Sequence, residues 1–449
     1  MNMLYITKSK VICVVKYIFL FFLFLLWNLI IQPINLDEIW NYGFAHNIYS
    51  GLVPYLDFNM VITPLYPMIM SLPFYIFGSS MLVFHLQQAV ILTISCYFLF
   101  KLLKDKAWLI ILLYFFPLSF SFPSYNCFLF FLFVIILYLE KRNSNDVLIG
   151  LILGAVILTK QSVGFCLLIP SLFYVNNKNK ILKKSVGVII PIVCFIAFLI
   201  ITNSYFAFLD LCVFGLFDFA QGNGNFSFMF LTLTIILIYL TYLLIRKQNN
   251  FNRILGYYTL SFYSIIIPLF DINHFQPALM AFLIYYFISS NKTFKFNFRL
   301  FSIGIIMGVM IITFIKSIDG KIIYPNNINH FEYRFLDENI IHFTNEVTDF
   351  TKDNSSRKVI HLNSNGYYFK LITDEKINYF DLINVGNWGY DGTKKLINAI
   401  KKNDDAIFVI SKEDFSDGKQ TDKKAIKYII NHGKKIKSIK IYDFYILEK

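Results

Sequence analysis

The feature that most limits what this chain can become is a repeated one: apolar runs of membrane-spanning length, separated by short basic clusters. The first is KYIFLFFLFLLWNLIIQPI, residues 16 to 34. About 20 apolar residues carry a helix across the hydrocarbon core, where backbone groups must satisfy one another. With 57% apolar, 19% aromatic and only 15% charged residues, the sequence excludes an ordinary soluble globule. It predicts an α-helical polytopic membrane protein. Pro33 is followed by no small-residue cleavage site, so this run reads as a retained first helix rather than a signal peptide.

The composition changes along the chain. Residues 1–318 hold 20 Lys/Arg and 9 Asp/Glu, whereas residues 319–449 hold 21 and 19. The division predicts a membrane module over 1–318 and a soluble domain over 319–449. All six cysteines fall in the membrane module at unrelated spacings and read as small hydrophobes, which leaves the tail without disulfides. The net charge of +13 calls for no nucleic acid, because the module's basic residues cluster in short loops as the positive-inside bias requires.

Those clusters lie at Lys8/Lys10/Lys16, Lys101/Lys104/Lys106, Lys141/Arg142, Lys178/Lys180/Lys183/Lys184, Arg246/Lys247/Arg253 and Lys292/Lys295/Arg299. Placing all six on the cytoplasmic side sets the outer turning points at residues 35–79, PSYN (123–126), TKQS (159–162), about 203–226, and DINH (271–274). VITPLYPMIMSLPFYIFG, residues 61–78, carries three prolines and would reverse the downstream charge bias if it crossed, so it reads as an interfacial or re-entrant segment packed on protein. About eleven transmembrane helices result, in a plasma-membrane protein with its N-terminus cytoplasmic and its C-terminal domain extracytoplasmic. Two spans, roughly 147–158 and 163–175, are short, which recesses TKQS below the bilayer surface.

On this topology Asp37, Glu38, Asp57, Asp210, Asp218 and Asp271 face out, while Asp105, Glu140 and Asp146 face in. Acids contribute little to orientation, so their segregation points to a site. In the first outer loop, NLDEIWNYGFAHNIYSGLVPYLDF, Asn35 and Glu38 fit a capping box, and Gly51 followed by Pro54 ends the helix. Trp40, Tyr42, Phe44 and Tyr49 suit a helix lying in the membrane interface. The cap accounts for Glu38. It accounts less well for Asp37, because one acid suffices and a second adds only about 0.3 to 1 kcal/mol.

An acidic pair after the first membrane helix, an interfacial helix, G-x-x-P-Y-x-D, a Pro-rich segment ending in F-G, and outward PSYN, TKQS and P-x-x-D-x-x-H elements together resemble the GT-C class of integral-membrane glycosyltransferases over roughly residues 17–290. That class includes the protein O-mannosyltransferases and bacterial enzymes that modify lipid A or envelope glycans. The resemblance implies a polyprenyl-phosphate-sugar donor and makes Asp37 the catalytic base. Partners would be the lipid-linked donor and a glycan, lipid or protein acceptor.

In such a transfer a carboxylate takes the acceptor's proton while the departing lipid phosphate needs cations or hydrogen-bond donors. Lys160, Gln161, His274, Tyr125 and Asn126 are the phosphate candidates. Lys160 leads, being one of two outward basic residues in the module, with a snorkelling lysine as the plainer reading. His274 follows Asp271 by three residues, so the acid can orient the imidazole or simply cap a helix. Asp57 can orient the acceptor, join Asp37 and Glu38 around a divalent cation, or be a solvated loop acid. Asp210 and Asp218 flank an aromatic segment that reads as a mobile acceptor-side loop, and His46 reads as an interface residue. No outward Arg precedes Arg334, in HFEYRF, which is therefore a further phosphate candidate.

Two other classes fit the composition. A lipid-linked saccharide flippase would carry midplane polar groups and internal repeats, and neither is visible. A polysaccharide polymerase or ligase would draw on outward arginines, which are scarce. In the tail, HFEYRFLDENIIHFTNEVTDF reads as a helix, and RKVIHLN, KINYFDL, DAIFVIS and KIKSIKIYDFYILEK read as strands. LINAIKK and KKAIKYIINH read as intervening helices, giving a small α/β domain. GNWGYDG, 386–392, is a Gly-rich turn without the strand-to-helix setting of a nucleotide site.

Overall fold

The computed structural model describes residues 2–30, 36–115, 123–173, 177–222, 227–267, 269–290, 298–318, 321–324, 330–331, 334–363, 366–373, 385–415 and 422–448. They form two compact units. The first comprises Met1–Ile31, Leu82–Ile192 and Phe226–Asp319, and the second comprises Gln32–Met81, Val193–Asn225 and Gly320–Lys449. The last break falls beside the compositional boundary at 318. Residues 32–81 and 193–225, however, group with the C-terminal residues.

The first unit is helical. Among the described residues, the whole chain has three helices long and apolar enough to cross a membrane: Met81–Leu113, Lys178–Ile201 and Phe228–Arg246. Val14–Leu29, Asp146–Ile157, Gln161–Phe173 and Arg299–Ile312 are shorter apolar helices, so the count of about eleven is not reproduced by length and composition. Close helix approach depends on glycine. A Cβ on Gly150 would sit 2.1 Å from the Lys184 carbonyl oxygen, and one on Gly187 would sit 2.2 Å from that of Val147. These contacts draw Asp146–Ile157 tightly onto Lys178–Ile201, as small residues do in membranes. Lys184 Nζ lies 2.5 Å from Glu140 Oε1. The Tyr258 hydroxyl donates to the same oxygen at 2.7 Å and meets Ser171 Oγ, so one buried polar knot joins four helices.

In the second unit the first-loop helix spans Leu36–Tyr49. It ends where predicted: Gly51 has φ +85°, Leu52 N–H donates to Asn47 O at 3.0 Å, and Gly51 N–H donates to Ile48 O at 3.0 Å. That pair of bonds is a Schellman cap. Asn35, the expected N-cap, lies outside the described residues. Two of its four interfacial aromatics are enclosed by protein. Tyr42 and Phe44 are 0% and 4% exposed. Their rings pack on Phe74 and Phe58 at centroid distances of 5.7 and 5.8 Å. Protein aromatics take up that part of its apolar face. The Pro-rich segment breaks into Leu65–Ser71 and Phe74–Phe77, 7 and 4 residues long, too short to cross.

The C-terminal residues form an α/β fold. Strand β1 (Lys321–Tyr324) pairs antiparallel with β2 (Arg334–Asp337). A second sheet has the order β3 (Val359–His361), β4 (Ile407–Ser411), β6 (Tyr442–Leu447), β5 (Gly433–Ile439), with β3 and β4 parallel and the other pairs antiparallel. One sheet face packs Ile360, Phe408, Ile410 and Tyr445 against Leu396, Ile400, Ile426 and Ile429 of helices Gly392–Lys402 and Lys423–His432. The other packs against helices Glu338–Asp353 and Gly366–Thr373, with Phe350 on Phe444 at 4.4 Å and His361 stacked on Phe369 at 4.7 Å.

Three readings of the tail change. Arg334 opens a strand rather than a helix, because pairing with the preceding strand β1 outweighs the local helical pattern. KIKSIKIYDFYILEK is not one strand but a hairpin that turns at Lys440, where φ is +49°. Helix Gly366–Thr373 was not foreseen. KINYFDL, 376–382, lies outside the described residues.

His361 is 6% exposed, and neither ring nitrogen has a hydrogen-bond partner. Burial lowers its pKa to about 3 from 6.5. Below pH 6.5 the unfolded chain gains a proton that the folded domain refuses until about pH 3, so stability present above 6.5 drains away across that window. Thermal unfolding of the full chain should therefore weaken by up to about 1.4 kcal/mol per pH unit on this account. His361→Phe should flatten that slope, as read from scans between pH 7.5 and 4.

Candidate functional site

Each unit gathers part of the predicted residues. In the first unit, two short helices, Asp146–Ile157 and Gln161–Phe173, meet at Thr159–Lys160. Gly164 makes the hairpin possible, since a Cβ there would lie 2.5 Å from Ile157 Cα. At about 1.5 Å per residue neither helix reaches across a bilayer. Thr159 is fully buried and Lys160 half-buried, so the tip is recessed within its unit.

Lys160 Nζ lies 5.6 Å from the centre of the Tyr125 ring and 3.5 Å from the Ile265 carbonyl oxygen. A cation over an aromatic face is attracted by the ring quadrupole. Two of the phosphate candidates thus come together. Tyr125 is placed by its helix start: Ser124 is the N-cap, and its Oγ accepts from Cys127 N–H at 3.2 Å. Asn126, next on that turn, is 4% exposed with an unpaired Oδ1. Gln161 is the first residue of the second short helix.

The Tyr263–Ile266 turn, which supplies the Ile265 carbonyl, packs on both Gln161–Phe173 and Ile272–Ser289. Asp271 caps the latter helix. Its Oδ1 accepts from His274 N–H at 2.9 Å and meets His274 Nδ1 at 2.8 Å, so cap and orientation are both realised. Burial pushes the Asp271 carboxyl up, but the His274 ring and the His274 and Asn273 N–H groups outweigh it and hold it below its ordinary value. The pairing points His274 with a fixed ring orientation; the ring itself is 5% exposed.

In the second unit, Asp37 and Glu38 occupy the first turn of Leu36–Tyr49 and differ in exposure. Glu38 is 2% exposed, whereas Asp37 is half-buried. Asn41 Nδ2 donates to the Asp37 backbone oxygen at 2.6 Å, which leaves that contact independent of the carboxylate. Asp37 is thus the more accessible acid of the pair. Asp57 closes its own loop: Oδ2 accepts from Val53 N–H at 2.7 Å and its N–H donates to Val53 O at 2.9 Å. Among the described residues no group of three or more His, Cys, Asp and Glu side chains is placed to hold a metal ion, so Asp37, Glu38 and Asp57 do not form the cation cage considered above. Of Arg334 only the strand position is described.

Two arrangements were missed by sequence reasoning. Tyr42 and His46, one turn apart, meet residues far along the chain. The Tyr42 hydroxyl bonds Ser79 Oγ at 2.9 Å and His330 Nδ1 at 2.8 Å, and His46 Nδ1 bonds Ser79 Oγ at 2.8 Å. Burial first, then the charges of His330 and Lys370, lowers the His46 pKa to about 4, so the ring is neutral. The i, i+4 spacing of Tyr42 and His46 was the only local signal. The second arrangement concerns Asp210 and Asp218, whose segment is not a loose loop but helical: Tyr205–Leu209, a π-turn Asp210–Phe214, and Gly215–Gly222. Asp210 accepts from Tyr390 N–H at 3.2 Å and binds Lys395 Nζ at 2.5 Å, while Asp218 accepts from Asp391 N–H at 3.1 Å. These acids hold the Gly-rich turn. Gly389, at φ +74°, has no room for a side chain, since a Cβ would lie 2.5 Å from Asp210 Oδ2.

The whole chain is similar in fold to ArnT from Cupriavidus metallidurans, in a crystal structure bound to undecaprenyl phosphate. The match covers 98% of each chain with a TM-score of 0.57 and 11% sequence identity. The GT-C resemblance holds at the level of the fold. No family model matches the chain, and no curated protein matches it in sequence. At 11% identity the likeness speaks for backbone architecture, so the roles of Asp37, Lys160 and their neighbours rest on the chemistry of those residues.

Proposed function

We propose that this chain is a membrane glycosyltransferase that moves a hexose or pentose from a polyprenyl-phosphate carrier to a glycan, lipid or protein of the cell envelope, at the outer face of the plasma membrane. The observation that carries the reading is the full-length fold similarity to a protein whose crystal structure holds undecaprenyl phosphate. Sugars activated as nucleotides are made in the cytosol, so a site on the outer side draws on a lipid-borne donor.

The proposed chemistry is a single displacement. Asp37 accepts the acceptor's hydroxyl proton as that oxygen bonds to the anomeric carbon. The bond from that carbon to the phosphate oxygen breaks, and its electron pair leaves with the polyprenyl phosphate. Lys160, with the Tyr125 ring beside it, stabilises the charge that grows there. Asp271 orients His274 as a further phosphate partner, with Gln161 and Asn126 supplying amide hydrogen bonds. Arg334 is a candidate for the same phosphate. Glu38, buried beside Asp37, supports the base.

The first test is binding. A ligand that binds only the folded state stabilises it by about 2.7 kcal/mol at one hundred times its Kd. Undecaprenyl phosphate should therefore raise the unfolding temperature of the detergent-purified protein by several degrees, and a neutral polyprenol should not. Equal effects from both lipids would contradict a phosphate-directed site.

A further inference from the structure

The C-terminal α/β fold is electrically divided. Helices Gly392–Lys402 and Lys423–His432, with residues 433–440 that include β5, hold eleven lysines, and the acids beside them are Asp391, Asp404, Asp405 and Asp422 at the helix ends. On the opposite sheet face, helix Glu338–Asp353 holds four acids and one lysine. Lys394, Lys395 and Lys435 meet the carboxylates of Asp391, Asp210 and Asp443 at 3.0, 2.5 and 3.7 Å. Lys402, Lys424, Lys427 and Lys434 stand exposed.

Lysines on an edge strand discourage pairing with other chains, which accounts for those of β5. That explanation does not reach the two helices, where Leu396, Ile400, Ile426 and Ile429 face the core and lysines occupy much of the outer side. The two helices pack together, and Lys423–His432 also packs on β5 and β6, so the lysines lie on adjoining elements. Lys401 Nζ lies 5.3 Å from the Tyr428 ring on the helical side, and Lys437 Nζ lies 4.8 Å from the ring of Phe350, on the other face. The exposed lysines of the helical side, Lys402, Lys424 and Lys427, complement a flexible chain of negative charges.

We infer that these lysines form a binding surface for an extended, phosphate-bearing polyanion, such as a phosphodiester-linked polymer. The inference does not depend on the proposed transfer reaction, because its test reads binding alone.

The test uses the full-length protein in neutral phosphatidylcholine nanodiscs, with linear inorganic polyphosphate as the probe and Kd measured across a range of salt. The triple variant Lys402→Gln, Lys424→Gln, Lys427→Gln should bind at least tenfold more weakly at low salt. Counterion release adds about 0.7 to the salt slope per contacted charge on a single-stranded polyanion, so the slope should fall by about 2. The control variant Lys178→Gln, Lys180→Gln, Lys183→Gln should bind as the parent does. Equal loss in both variants, or none in the first, overturns the assignment. So does binding of added phosphatidylglycerol vesicles that responds to the first variant when polyphosphate binding does not.

Discussion

Asp37→Asn should reduce sugar transfer by about 10²–10⁴-fold, the usual contribution of a positioned general base, while the protein still folds. The substitution keeps the size of the side chain and removes its capacity to take a proton. Its structural cost is small because Asp37 is half-buried and its contribution to the helix end is only about 0.3 to 1 kcal/mol. Steady-state transfer rates, read beside thermal unfolding of the same preparations, separate the two effects. Glu38→Gln should behave in the opposite way. That carboxylate is 2% exposed, and disturbing a buried hydrogen-bonding group costs about 1–3 kcal/mol, so stability should fall first and activity with it.

Lys160→Gln should lower kcat/KM for the lipid donor by about 10²–10³-fold, the effect of removing one preorganised partner of a developing charge. The ammonium lies against the Tyr125 ring and the Ile265 carbonyl, which place it at the tip between the two short helices. Lys160→Arg should recover part of the loss, and a poorer leaving group on the donor should make the variant's deficit larger. A lysine that merely snorkels would show none of these kinetic effects.

Much of the architecture was legible in the sequence because two signals are strong. Apolar runs broken by basic clusters marked the helices, and glycine with a downstream proline marked the end of Leu36–Tyr49 at Gly51. The recessed position of Lys160 could be read from the length of two flanking helices. What was not legible depends on partners distant in sequence. Tyr42 and His46 looked interfacial until Ser79 and His330, the latter 288 residues from Tyr42, took up their polar atoms. Asp210 and Asp218 looked like free loop acids because nothing nearby announced the turn at 386–392 that they hold. Asp57 offered three readings, and only coordinates show it closing on Val53. Local periodicity predicts elements; it does not predict which remote element will claim a polar side chain.

The most direct measurement follows the fate of a labelled polyprenyl-phosphate sugar in proteoliposomes. The account predicts that the wild-type protein releases free polyprenyl phosphate in one-to-one step with a new glycosidic bond on the acceptor, and that Asp37→Asn releases neither. Movement of the intact labelled donor from one leaflet to the other, with no bond formed and no dependence on Asp37, would contradict it.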